Sequence, residues 1–243
     1  MGKVPKRDST MTDRDQLSCY LSPPKTKTYH PLHHIDAVHM VIKKAEEIGY
    51  KIRSEEYGVA NDGNKMFGII KFEPTDNKEY TRVVAVKNSY DKSIAFGIVA
   101  GLDILVCSNL IFNGNVKLSS KHTKQLNPQQ IIDISFLIFE SQCSTLGQNI
   151  IDYKKITIHN EKASHIVLSM AKDKIINASD VVNVMNEYKR PTFSENEGNN
   201  LNSLYNAFTY IMKKYSILTS VERHVKLNAM FSKIYNKLTK ELT

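Results

Sequence analysis

The stretch that most constrains the fold is VKNSYDKSIAFGIVAGLDILVCSNLIFNG, from Val86 to Gly114. A polar cluster, Lys87-Asn88-Ser89-Tyr90-Asp91-Lys92-Ser93, leads directly into a run almost free of charge. The rest of the chain has to cover that run, because its apolar surface is costly to leave in water. SIAFGIVAGLDILV falls short of the roughly 18 apolar residues a membrane helix needs, and it carries Asp103. Gly97 and Gly101 each weaken a helix, whereas Ile, Val and Phe suit a pleated surface. We therefore favour a strand from Ser93 to Leu105 over a helix capped by Ser93. NSYDKS is then the turn of the hairpin that feeds it, with Asn88, Asp91 and Ser93 bonding local backbone groups.

The flanking residues extend this pattern. In HPLHHIDAVHMVIKKAEEIGY, Ile35, Val38, Ile42, Ala45 and Ile48 recur at helical spacing; Pro31 suits the start and Gly49 the stop. KIRSEEYGVAN alternates, Asp62-Gly63 signals a hairpin, and KMFGIIKFEP and EYTRVVAVKN return as further strands. NLIFNGNVKLSSKHTKQ keeps the alternation across a turn at Asn113-Gly114. From Asn127 the period becomes helical, with Asn127 before Pro128 as the opening. NEKASHIVLSMAKDKI, NASDVVNVMNEYKRP, LNSLYNAFTYIMKKYS and the basic SVERHVKLNAMFSKIYNKLTK follow as helices. The fold class is α+β: an N-terminal helix plus an antiparallel strand meander, followed by an all-helical C-terminal half. Residues 1–28, polar and proline-punctuated, read as a mobile basic arm. Residues 29–126 form the α+β core, and 127–243 a helical region packed on or following it.

Composition narrows the function classes. A net charge of +8 and a pI of about 9.2 favour an acidic partner, and nucleic acid is the commonest. Cys19, Cys107 and Cys143 are far apart and form no CxxC pair, so a reduced cytoplasm is the expected setting and no thiolate zinc site is. There is no Walker-type loop, no GxGxxG after a strand and no GxSxG elbow. Cys107 reads as a buried thiol. His30, His33, His34 and His39 cluster without the spacing of a known zinc motif, and capping or surface roles suit them better. Asp91 and Asp103 do not form a spaced metal-binding set. No catalytic residue, cofactor or metal is expected, and an enzyme is the least supported class.

The basic residues are more suggestive. Lys87, Asn88, Ser89 and Lys92 in the polar cluster, with Lys117, Lys121, His122 and Lys124 further on, are the candidate nucleic-acid-binding set. Lys117, Ser119 and Lys121 fall on one face of a strand. Ammonium and hydroxyl groups in such an array hold phosphates, giving salt-sensitive binding with little base readout. Tyr57, Phe67, Tyr90 and Phe112 are either stacking faces for bases or core residues. Arg223, Lys226, Lys233 and Lys237 on the last helix offer a second phosphate surface or a solvated face.

The segment VAVKNSYDKSIAFGIVAGLDILVCSNLIFNGNVKLSSKHT, Val84 to Thr123, resembles the central signature of the phage/plasmid-like family known as domain of unknown function 932. The shared pattern is a strand ending in (R/K)NS(Y/H)DKS, a glycine-containing apolar stretch, VC(D/S)N and a late (R/K)HT. NEKASHIVLSM and LNSLYNAFTYI resemble later segments. Lys87 stands where arginine is usual, which keeps the charge but not the bidentate fork. The resemblance implies a phage, prophage or plasmid protein in a bacterial host cytoplasm, with no activity to carry over. Two functions follow as expectations. The favoured one is a single-stranded DNA-binding or annealing accessory in phage recombination or replication. The other is a protein-binding module that inhibits or remodels a host defence complex. A likeness to single-strand annealing proteins requires residues 93–105 to be helical. The expected partners are nucleic acid, single-stranded DNA above all, or a host protein; a homo-oligomer is compatible with both, and no membrane is involved.

Overall fold

The computed structural model describes residues 10–74, 80–104, 109–112 and 118–241. The alternating segments become one antiparallel sheet. β2 (Ile52–Ala60), β3 (Lys65–Phe72), β4 (Tyr80–Ser89) and β5 (Phe96–Ile104) form a meander. β1 (Thr10–Thr12) joins the free edge of β2, while β6 (Asn109–Phe112) and β7 (Leu118–Ser120) share the far edge of β5. The uncharged run is therefore a strand, paired with β4 from Lys87↔Gly97 to Tyr80↔Ile104. Cys107, the turn at Asn113-Gly114 and Lys117 lie outside the described residues.

Period-two patterning assigns the two faces of the sheet. Met66, Ile70, Phe72, Val84, Val86, Ile98, Ala100 and Leu102 point into the main core. That side is covered by α1 (His34–Glu47) and α2 (Pro128–Lys154). On α1 the buried stripe is His34, Ala37, Val38, Val41, Ile42 and Ala45. Ile35 only rims the core, and Ile48, beyond the last helical turn, is exposed. Asn127 caps α2 as its sequence suggests, its side chain accepting from the Gln130 N–H at 3.1 Å.

The helical half consists of α3 (Asn160–Lys172), α4 (Val181–Lys189), α5 (Leu201–Met212) and α6 (Ile217–Glu241). α6 serves two cores. Leu227, Phe231 and Leu238 enter the main one, whereas Val221 and Val225 cover the second face of the sheet, against Ile69, Val83, Ala85, Val99 and Phe112. His224 is buried there, edge-on to Phe112 and bonded to the Leu110 backbone. Among the described residues no helix is long and apolar enough to cross a membrane.

Residues 10–28 were expected to form part of a mobile arm, but from Thr10 onward the chain is tied into the fold. β1 adds three residues to the sheet, and the Arg14 guanidinium grips the Glu55 carboxylate. Leu17 is fully buried, and the Tyr20 carbonyl accepts the Tyr90 hydroxyl at 2.9 Å. One apolar anchor and a few specific hydrogen bonds outweigh a composition that is otherwise polar.

The β2–β3 turn rests on left-handed backbone at Asn61, Asp62 and Gly63 (φ 51°, 53° and 82°). A Cβ on Gly63 would lie 1.9 Å from Cδ1 of Tyr20. Gly63→Ala is therefore expected to destabilise the protein by about 2–4 kcal/mol, combining left-handed strain with a displaced ring. Urea unfolding measures it, and a loss under about 0.5 kcal/mol would show that Tyr20 is not held against this turn.

Candidate functional site

The polar cluster divides into two parts that face opposite ways. Asn88 and Ser89 end β4 fully buried, while Asp91, Lys92 and Ser93 are exposed in the turn. The turn closes on itself. The Ser89 hydroxyl donates to the Ile94 carbonyl (2.8 Å), and the Asp91 carboxylate accepts from the Ser93 N–H (3.0 Å) and hydroxyl (2.5 Å). Burial alone would raise the Asp91 carboxyl, but these bonds and the Lys65 charge outweigh it and hold the group below its usual range. Lys65 Nζ lies 3.8 Å from this carboxylate.

Asn88 bonds across the fold, not locally as expected from a turn residue. Its amide donates to the Leu32 carbonyl (2.7 Å) and to His34 Nδ1 (2.9 Å), and its oxygen accepts from His122 Nε2 (2.6 Å). His34 Nε2 lies 2.9 Å from the Gly63 carbonyl, which can only accept, so Nε2 carries the proton and Nδ1 is free to accept from Asn88. The His34 ring stacks on Tyr90 at 3.8 Å and 9°. The Tyr90 hydroxyl accepts from the His34 N–H and donates to the Tyr20 carbonyl, and the Tyr29 hydroxyl donates to the Tyr90 carbonyl at 2.9 Å. Apart from His122 Nδ1, the side-chain polar atoms of this cluster have partners, as burial at this depth requires. Burial lowers His34 to about 4, lowers His122 and pushes Tyr90 up to about 12. Asn88, Tyr90 and His122 thus form a neutral polar core that locks the amino-terminal segment to the sheet.

On the solvent side of this core lies an open groove of about 400 Å³, lined by Thr28, Tyr29, Lys92, Ser93, Ile94, Ala95, Lys121, His122 and Thr123. It joins the exposed lysines of two segments far apart in sequence, with three hydroxyls between them. Lys92 Nζ sits 4.7 Å from the centre of the Tyr29 ring. Lys124 follows on the same segment and is exposed. Such a set of groups attracts an anion, and its size is that of a small-ligand site.

Of the candidate residues, Lys92, Lys121 and His122 meet at this groove, with Lys124 adjacent. Lys87 does not: it projects from the second face of the sheet and pairs with Glu222 of α6 at 3.5 Å. Asn88 and Ser89 are structural. Tyr57, Tyr90 and Phe112 are buried, and Phe67 packs against the smaller core, so none presents a free stacking face. Thr28, Tyr29 and Thr123 were missed. The signal was PPKTKTY beside the late KHT, hidden because the first segment reads as an arm.

Elsewhere, Arg223 bonds the Ile175 carbonyl and Asn177 and lies over the Tyr215 ring, so it braces the helical half. Asp103 is buried against Arg53 and Lys71. Burial raises its carboxyl while the two cations oppose the shift, which is the setting of a structural ion cluster. Among the described residues no group of three His, Cys, Asp or Glu side chains is placed to hold a metal ion. No protein-family model, curated protein or solved structure matches the chain.

Proposed function

We propose that the protein binds single-stranded nucleic acid and that the groove between the β4–β5 turn and residues 121–123 is its phosphate contact. One observation carries this reading: Lys92 and Lys121 converge on one opening together with Thr28, Ser93 and Thr123. The surplus of positive charge supports it. The site suits one nucleotide unit of a strand and is too small for a duplex. The resemblance to phage and plasmid proteins, which carries no activity of its own, extends the proposal to an accessory role in phage or plasmid recombination or replication. Annealing is not part of the proposal, because the likeness behind it required a helix over 93–105, and β5 (Phe96–Ile104) occupies most of that segment.

Fluorescence anisotropy with a labelled 20-mer of thymidylate tests this. The expected result is saturable binding at about 50 mM salt, weakening linearly in log–log form as salt rises. Absence of binding at that salt would remove the proposal.

A protein partner is the second reading. Met170, Met230, Ile234 and Leu238 floor a groove of about 310 Å³ between α3 and α6, rimmed by Lys162, His165 and Lys237. An acidic amphipathic helix is the chemistry that fits it. Capture of such a host protein, unchanged by nuclease, together with no oligonucleotide binding would favour this reading.

A further inference from the structure

Resting on the strand-binding reading, Lys92 and Tyr29 point to how the groove takes a base. Among the described residues, four non-glycine positions have left-handed backbone. Asn61 and Asp62 form the β2–β3 turn, and Lys174 follows the end of α3. The fourth is Lys92, with φ 63°, at a place where glycine or asparagine would be easier. A lysine there places its ammonium over the Tyr29 ring. That ring is fixed, because its hydroxyl is committed to the Tyr90 carbonyl and His122 flanks it at 6.0 Å. Tyr29 is 5% exposed, while the Lys92 side chain lying over it is exposed.

The remaining groups of the groove match the other parts of a nucleotide. Lys92 and Lys121 supply two ammonium groups, and Thr28 and Thr123 supply hydroxyl donors for a phosphate, the Ser93 hydroxyl being given to Asp91. His122 gives Nε2–H to Asn88, so Nδ1 is its remaining polar atom, an acceptor for a base N–H or a sugar hydroxyl.

We propose that Lys92 is a displaceable cap: on strand binding its ammonium leaves Tyr29 for a phosphate oxygen, and one base stacks on the uncovered ring. The exchange is favourable, because stacking of a base on an aromatic ring outweighs a solvent-exposed cation–π contact and the ammonium regains a charged partner.

Photocrosslinking with a 20-mer of thymidylate carrying 5-iodouracil, followed by peptide mass spectrometry, tests the cap in the intact chain. The expected adduct is on Tyr29. Tyr29→Leu should weaken oligonucleotide binding about tenfold with an unchanged salt slope, since no charge is lost. Lys92→Ala should lower the slope by about 0.7 while keeping the Tyr29 adduct. Adducts that exclude Tyr29, or Tyr29→Leu binding within twofold of the parent, would overturn the cap. If Tyr29→Leu fails to fold, the adduct map of the unaltered chain decides alone. Salt-dependent binding without a Tyr29 adduct overturns the cap and leaves the strand-binding reading intact; no binding at all overturns both.

Discussion

Asn88→Ala is expected to cost about 3–5 kcal/mol of stability, among the largest effects available to a single polar substitution here. Asn88 is fully buried and satisfies three groups at once: the Leu32 carbonyl, His34 Nδ1 and His122 Nε2–H. Truncation leaves all three unpaired. Each orphaned group costs about 1–3 kcal/mol when water cannot replace the lost partner. Asn88→Asp should be nearly as damaging, because a carboxylate accepts from His122 but donates to neither Leu32 nor His34. Ser93→Ala, at an exposed turn position, should cost under about 1 kcal/mol. Urea unfolding with an unchanged m-value checks the series. A loss below about 1 kcal/mol for Asn88→Ala would mean that this polar core does not hold the amino-terminal segment to the sheet.

Acid should destabilise the protein well before its carboxylates are neutralised. His34 and His224 are each lowered from 6.5 to about 4 by burial, which outweighs their backbone hydrogen bonds. The unfolded chain takes up these protons near pH 6.5, and the folded chain resists until about pH 4. The stability held by each neutral imidazole is therefore complete above pH 6.5 and lost as the pH falls toward 4. Each contributes about 3 kcal/mol over that span, so together they approach the whole stability of an ordinary domain. His122, lowered by burial as well, adds in the same direction. Urea unfolding between pH 7.5 and 4.5 measures the loss, and His34→Gln should reduce its pH-dependent part. Stability that stays flat between pH 7 and 5 would contradict the neutral, bonded state assigned to these histidines.

Much of the fold was legible where neighbouring residues determine it. Gly97 and Gly101 argued against a helix, the alternating segments on either side of Asp62-Gly63 marked the first strands of the meander, and Asn127-Pro128 marked the start of α2. What local pattern does not carry is contact over distance. Asn88 reads as a turn residue, yet its partners His34 and His122 lie 54 and 34 positions away. Tyr57, Phe67, Tyr90 and Phe112 were candidate stacking faces because alternation does not reveal that both faces of the sheet are covered. The second cover is the first part of α6, more than 100 residues further along. The groove was half legible: the basic residues at 92 and 121–124 stand out, but Thr28 and Tyr29 straddle the boundary between the segment read as a free arm and the core. Only folding brings Tyr29 beneath Lys92.

The most direct test of the central claim compares salt slopes for oligonucleotide binding. Lys92, Lys121 and Lys124 replaced together by Ala should weaken binding at about 50 mM salt and lower the slope by about 2, the value for three phosphate contacts on a single strand. Lys226 and Lys233, exposed on α6, replaced by Ala as a control of similar kind, should leave the slope close to that of the parent chain. Equal slopes for the parent and the groove variant, or a larger fall for the α6 variant, would show that the groove is not where the strand binds.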